Sequence, residues 1–168
     1  RRTQGLIVAP GNPQQITMLA DLCRHGIRFA NRARGTGTRV VFDELLAAQN
    51  IDPLYIAGYD RTEPSHRSAA EAVASGSADA ALGIEAAAHA RGMGFVPLVQ
   101  EQYFLVTLRQ TLVQPQVQTL LGLLHDAQWR DQLNALPGYE ARDCGEVLSL
   151  RRVLPWWTFR KPKRPAAR

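Results

Sequence analysis

Residues 31–46 read NRARGTGTRVVFDELL, and how this stretch folds decides what kind of sheet the chain builds. Arg28 to Asn31 gives a short strand signal. Beyond the glycines, Val41, Leu45 and Ala48 recur on one helical face with Phe42 and Leu46 beside them, which predicts a helix. Strand, glycine turn and helix in succession are the unit from which α/β sheets are assembled. At the joint stands Gly35-Thr36-Gly37-Thr38. One reading is a tight turn with Thr36 or Thr38 as helix N-cap. The other is an anion seat, because a helix start presents unpaired N–H groups and about half a positive charge. Glycines let the backbone approach a ligand, threonine hydroxyls add donors, and Arg34 and Arg39 supply charge on either side.

Working outward, the same alternation continues. Gly5 to Ala9 is an apolar strand signal stopped by Pro10-Gly11-Asn12-Pro13. Residues 14 to 24 carry Ile16, Leu19, Ala20 and Cys23 at helical spacing. Leu54 to Tyr59 reads as a strand, Pro64 to Ser75 as a helix closed by Gly76, Ala78 to Ile84 as a strand and residues 85 to 91 as a short helix. Short connections between strands and helices predict a parallel sheet covered on both faces. After Phe95 the pattern changes: Phe95 to Leu108 is mostly extended, helices follow near 115 to 125 and 126 to 135, and a final strand is expected near 146 to 150.

Composition sets the boundaries. The chain has 168 residues, 45% hydrophobic and 21% charged, as in an ordinary soluble domain or one lobe of a bilobal one. No apolar run approaches the roughly 18 residues of a membrane span, so no membrane association is expected. The start, Arg1-Arg2-Thr3, carries no signal-like segment, and the chain reads as an excised part of a longer protein. The net charge of +5 is concentrated in residues 151–168, which hold seven basic residues and no acid; the remainder carries 13 basic against 15 acidic residues. That Pro-rich tail is either a solvated extension or a contact for nucleic-acid phosphates. Cys23 and Cys144 make neither a disulfide framework nor a metal set and read as small buried apolar residues, in keeping with a reducing compartment.

A second candidate locus is Tyr59-Asp60-Arg61-Thr62-Glu63-Pro64-Ser65-His66, which opens the helix after the next strand. In a parallel sheet it emerges at the same edge as Gly35 to Thr38, where ligands of open α/β sheets bind. Ser65 and His66 either donate to the same bound group or serve as cap and partly exposed polar residue. A nucleoside triphosphate loop fits poorly because no lysine follows the glycines, and a dinucleotide fingerprint fails because the third glycine is absent. Nothing forms a nucleophile elbow. His25, His89 and His125 read as surface residues, Glu71 and Glu85 as solvated helix positions. Trp156-Trp157 and Phe159 are expected to pack on the body or on a further domain rather than to stack on bases. The chain is therefore expected to bind rather than to catalyse, with no cofactor and no metal.

Several segments in order carry a resemblance. Arg2-Thr3-Gln4-Gly5-Leu6-Ile7-Val8, Gly11-Asn12-Pro13, Asn31 to Arg39, Ser65-His66, Ala72 to Asp79 and Leu136-Pro137-Gly138-Tyr139 together resemble the periplasmic-binding-protein-like domain of molybdate-responsive bacterial regulators and molybdenum-cofactor-associated proteins. Leu154-Pro155-Trp156-Trp157 is similar to the end of the subgroup joined to a helix-turn-helix. The resemblance implies an α/β, type 2 fold of two lobes, with a parallel-rich sheet flanked by helices and an oxyanion held between the lobes. It implies residues 1–9 as a hinge strand, 10–98 as the α/β ligand-binding lobe, 99–150 as the hinge return and C-terminal part of the other lobe, and 151–168 as the basic tail. Strand 5 to 9 and stretch 99 to 108 would be the two hinge crossings, and a further lobe-forming segment would precede Arg1.

By the same resemblance, Arg34, Gly35, Thr36, Gly37, Thr38, Ser65 and His66 would hold molybdate or tungstate, and occupancy would control a cytoplasmic transcriptional regulator through an attached DNA-binding domain. A homo-oligomer is compatible with this. The alternatives are a binding domain for transport or molybdenum-cofactor biosynthesis, and a degenerate interaction module whose basic tail contacts nucleic acid. Ala33 stands where the family has glutamine, Thr36 where serine is common, and Thr62 and Pro64 replace the usual residues before Ser65-His66. Thr36 keeps a hydroxyl; Thr62 removes a carboxylate.

Overall fold

The computed structural model describes residues 1–157. Five strands form one sheet in the order β3-β2-β4-β1-β5. They are β1 (Arg2–Val8), β2 (Phe29–Arg32), β3 (Thr62–Glu63), β4 (Ala80–Ile84) and β5 (Gly94–Glu101). β2 runs parallel to β3 and β4, whereas β1 is antiparallel to both β4 and β5. The sheet is therefore mixed rather than parallel-rich. β1 lies inside it, with Gln4 to Val8 buried, so the first strand is woven into the lobe itself.

Side-chain alternation along the strands builds two cores. On one face Leu6, Val8, Phe29, Ala80 and Leu82 meet Phe42 and Leu46 of α1 (Gly37–Ala48), together with Ile16, Leu19 and Leu22. Phe29 and Phe42 stack with ring centroids 5.1 Å apart. On the other face Ile7, Ala30 and Ala81 meet the alanines of α2 (His66–Ala74) and Ala88 of α3 (Glu85–His89). Each buried Leu, Ile or Phe contributes roughly 1.5–3 kcal/mol.

Several expectations are corrected. α1 buries Thr38, Arg39, Phe42 and Leu46, so its inward stripe is rotated from Val41, Leu45 and Ala48. Residues 14 to 24 do not form an α-helix; only Leu19–Cys23 winds into a 3-10 turn. Asn12 and Gln15 take left-handed backbone, the Asn12 side chain bonds both the N–H and the C=O of Ile16, and Asp21 accepts from the Thr17 and Met18 N–H groups. Local side-chain bonds thus replace helical ones. Leu54 to Tyr59 is not a strand: Asp52 caps a 3-10 turn over Pro53–Tyr55, and the actual strand is the two-residue β3. No strand lies near 146 to 150; Ser149 instead caps α6 (Leu150–Val153).

The C-terminal segment holds α4 (Pro115–His125) and α5 (Ala127–Asn134), neither of which buries a residue. It returns to the sheet where Thr3 N–H donates to the Gly138 carbonyl (2.8 Å) and Glu140 N–H to that of Arg1 (3.0 Å). Tyr103, Leu105, Val106, Leu108, Val113, Trp156 and Trp157 are exposed, so the tryptophans do not pack on this body. Cys23 and Cys144 are half-buried free thiols, not fully buried ones. Phe159 and the basic residues from Arg160 to Arg168 lie outside the described residues.

Candidate functional site

The carboxyl edge of β2, β3 and β4 gathers the residues picked out from the sequence. β2 and β3 end side by side, with Asn31 opposite Thr62 and Arg32 opposite Glu63. Each strand is followed by a helix, so the starts of α1 and α2 open at one edge. Backbone bonds fasten the second loop along β2: Phe29 N–H to Ala57 C=O, Asn31 N–H to Arg61 C=O, both 2.8 Å, and Ala33 N–H to Glu63 C=O, 3.3 Å. Buried Asn31 adds a side-chain bond to the Tyr59 carbonyl at 3.1 Å.

The hydroxyls at these helix starts serve the chain itself. Thr36 is the N-cap of α1: its Oγ1 accepts from Arg39 N–H (3.3 Å) and donates to Ala33 C=O (2.8 Å). Ser65 caps α2, accepting from Ser68 N–H at 2.9 Å, while its own N–H donates to Ser68 Oγ at 3.1 Å. Gly35 sits at φ +85°, the left-handed turn that admits glycine without strain, and Gly37 opens the helix. Thr38 is buried. The turn-and-cap role is therefore present at both loci, and the unpaired backbone N–H groups of the first helical turns remain as donors.

The flanking arginines are committed elsewhere. Arg34 Nη2 pairs with Asp60 Oδ1 at 3.0 Å, linking the two loops through side chains that are 79% and 78% exposed. Arg39 turns inward: its Nε donates to Asp43 at 2.8 Å, and its guanidinium lies 4.0 Å over the Tyr59 ring, whose OH donates to Asp43 (2.7 Å).

A buried charge without such a partner is Arg32, which sequence reading did not single out. It is 6% exposed, its Nη1 donates to the Glu63 carbonyl at 3.2 Å, and its Nε has no partner. Among the described residues no carboxylate lies within 4 Å of it. Burial holds its pKa below the ordinary value; the Glu63 charge opposes that shift and Arg2 adds to it. Beside it, His66 Nδ1 is buried without a partner, and burial, Arg32 and Arg2 lower the imidazole pKa to about 4. Gln4, at 1% exposure, has both amide atoms unpaired on the α1 side of the sheet. Buried polar groups are paired in the great majority of cases, so the two orphans on the α2 face, Arg32 Nε and His66 Nδ1, mark a place for a partner, while Gln4 and Arg39 Nη1 are unpaired on the α1 face. The one available signal in the sequence was position: Gln4 heads an apolar strand and Arg32 ends one.

Among the described residues no group of three or more His, Cys, Asp or Glu side chains is placed to hold a metal, and no helix is long and apolar enough to cross a membrane. His25, His89 and His125 are exposed. A shallow hollow lined by Ser65, Arg67, Ser68, Glu71 and Arg91 runs along the outer side of α2 and does not reach Arg32.

Comparison with known proteins adds three findings. A family model described as a PBP superfamily domain matches residues 1–125. The uncharacterized protein YvgK of Bacillus subtilis (strain 168) is 37% identical over 147 residues, which are 88% of this chain and 47% of YvgK. An uncharacterized protein encoded in the 5′ region of a ferredoxin 2Fe-2S gene of Clostridium pasteurianum is 31% identical over 111 residues, 66% of this chain and 98% of that protein. The chain thus spans about half the length of one curated relative and nearly all of the other.

Proposed function

The chain belongs to the PBP superfamily, and from that premise we propose that it forms one wall of a bilobal clamp that closes on a small oxyanion, molybdate or tungstate. The observation that carries this reading is the buried and carboxylate-free Arg32 at the sheet edge where the N-termini of α1 and α2 both open. Helix starts supply oriented N–H donors and partial positive charge, and a poorly solvated guanidinium supplies the full charge that an anion neutralises. The domain binds its ligand without transforming it.

Two further features support a second lobe. β1 and β5 are neighbours in the sheet, with Arg2 opposite Glu101, so the chain passes into and out of this lobe through adjacent strands. That arrangement suits a two-strand hinge of the type 2 kind. The exposed apolar side chains between Tyr103 and Val113 suit a segment completed by another part of the protein. Closure around the ion converts occupancy into a change of lobe orientation. In the regulator reading, that change reaches a DNA-binding domain in the cytoplasm.

Calorimetric titration of the full-length protein with molybdate, tungstate, sulfate and phosphate tests the proposal. Saturable heat with molybdate or tungstate is expected; none with any of the four overturns it.

A further inference from the structure

We propose that the oxyanion is received inside the edge by the Arg32 guanidinium and the His66 imidazole, on the α2 face of the sheet, rather than by the Gly35–Thr38 turn and the Ser65 hydroxyl. This rests on the oxyanion reading above and names the residues that carry it.

Alternation along the strands places the pair. Ala30 and Ala81 pair in register and belong to the α2-facing core, so Arg32 and Gly83, two residues further on, face the same side and come level with each other. Gly83 pairs with Gly5 on β1. A Cβ on Gly83 would lie 3.8 Å from His66 Nδ1 and would collide with the Ile7 terminal methyl. The bare glycine makes room for Ile7, and the imidazole lies against the β4 backbone at the position level with Arg32. Both polar groups enter this spot with an atom unsatisfied, Nε of Arg32 and Nδ1 of His66.

The chemistry of the ligand follows from the two donors. Arg32 Nε always carries a proton, and neutral His66 in its Nδ1–H tautomer carries another, so both lack an acceptor. A buried donor left without an acceptor is destabilising. A ligand oxygen satisfies them, and its negative charge offsets the burial of Arg32. Arg2 also acts on His66, with Glu101 as its own counter-ion, so the local field disfavours a further cation and favours an anion. Thr36 and Ser65, by contrast, already have both hydroxyl roles or the capping bonds filled. Their contribution is to hold the two helix starts in place. The ligand class is a small oxyanion, with one oxygen edge turned toward Arg32.

The test compares the full-length wild type with Arg32→Gln, Arg32→Lys, His66→Gln and His66→Asn in calorimetric titrations with molybdate, tungstate, sulfate, phosphate and acetate. Arg32→Gln and His66→Gln are expected to weaken the best-bound anion by between about ten- and a hundredfold. Arg32→Lys and His66→Asn, which keep a charge and a donor near the Nδ1 position, recover part of the loss. Nitrogen NMR of histidine-labelled wild type gives a readout that needs no variant to fold: saturation with the anion shifts the His66 ring nitrogens. Wild-type binding with unchanged affinity in both glutamine variants overturns this seat and leaves the oxyanion reading standing. So do unperturbed His66 nitrogens at saturation. Absence of binding by the wild type removes both.

Discussion

The Arg2 and Glu101 side chains form an ion pair between the first and last strands, where the chain passes into and out of the sheet. The Arg2 guanidinium also lies 5.1 Å from the Tyr103 ring centroid. Both partners are mostly shielded from solvent, so the pair is worth more than an exposed one. Glu101→Gln is expected to lower stability by about 1–2 kcal/mol, read as a lower urea midpoint with unchanged slope. An unchanged midpoint would show the two strands to be held by their backbone ladder alone.

Gly58 stands at φ +96°, and a side chain there would run into the Phe29 carbonyl. Gly58→Ala combines strain with collision and should cost about 2 kcal/mol or more. Gly35 has a similar φ, +85°, with open space around it, so Gly35→Ala should cost only about 1 kcal/mol. Thermal unfolding of the two variants side by side checks the ranking.

Thr36 and Ser65 are caps before they are anything else. Thr36→Ala and Ser65→Ala should each reduce stability by about 1 kcal/mol in the absence of any ligand. Denaturant melts without added anions measure this. Losses below a few tenths of a kcal/mol would mean that the hydroxyls are free for another task.

His66 couples stability to pH. Its folded pKa of about 4 lies below the unfolded value of 6.5, so between these limits the unfolded chain holds a proton that the folded one does not. Stability is therefore constant from this group above pH 6.5 and falls as the pH drops from 6.5 toward 4. His66→Gln should flatten that part of the stability profile; a profile identical to wild type would place the imidazole in water.

Much of this was legible in the sequence, for identifiable reasons. The α1 and α2 starts were readable because glycines, a Thr or Ser cap and an apolar period coincide there. Antiparallel β1 was not, because Leu6-Ile7-Val8 is buried on both faces and carries no sign of direction. Leu54 to Tyr59 misled because its aromatic and branched residues suit a strand, while Asp52 and Pro53 set a turn that leaves Leu54 and Tyr55 in solvent. At the site, Arg34 and Arg39 drew attention as the charges flanking the glycines. Only the folded partners, Asp60 and the Asp43–Tyr59 pair, show that these charges are already taken and that Arg32 is left without one.

Tungsten's anomalous scattering locates a bound tungstate directly. In crystals of the full-length protein grown with tungstate, a single strong anomalous peak is expected at the carboxyl edge of β2 and β4, placed so that the tungstate oxygens lie within hydrogen-bonding reach of Arg32. A peak elsewhere on the molecule, or none at saturating tungstate, would contradict it.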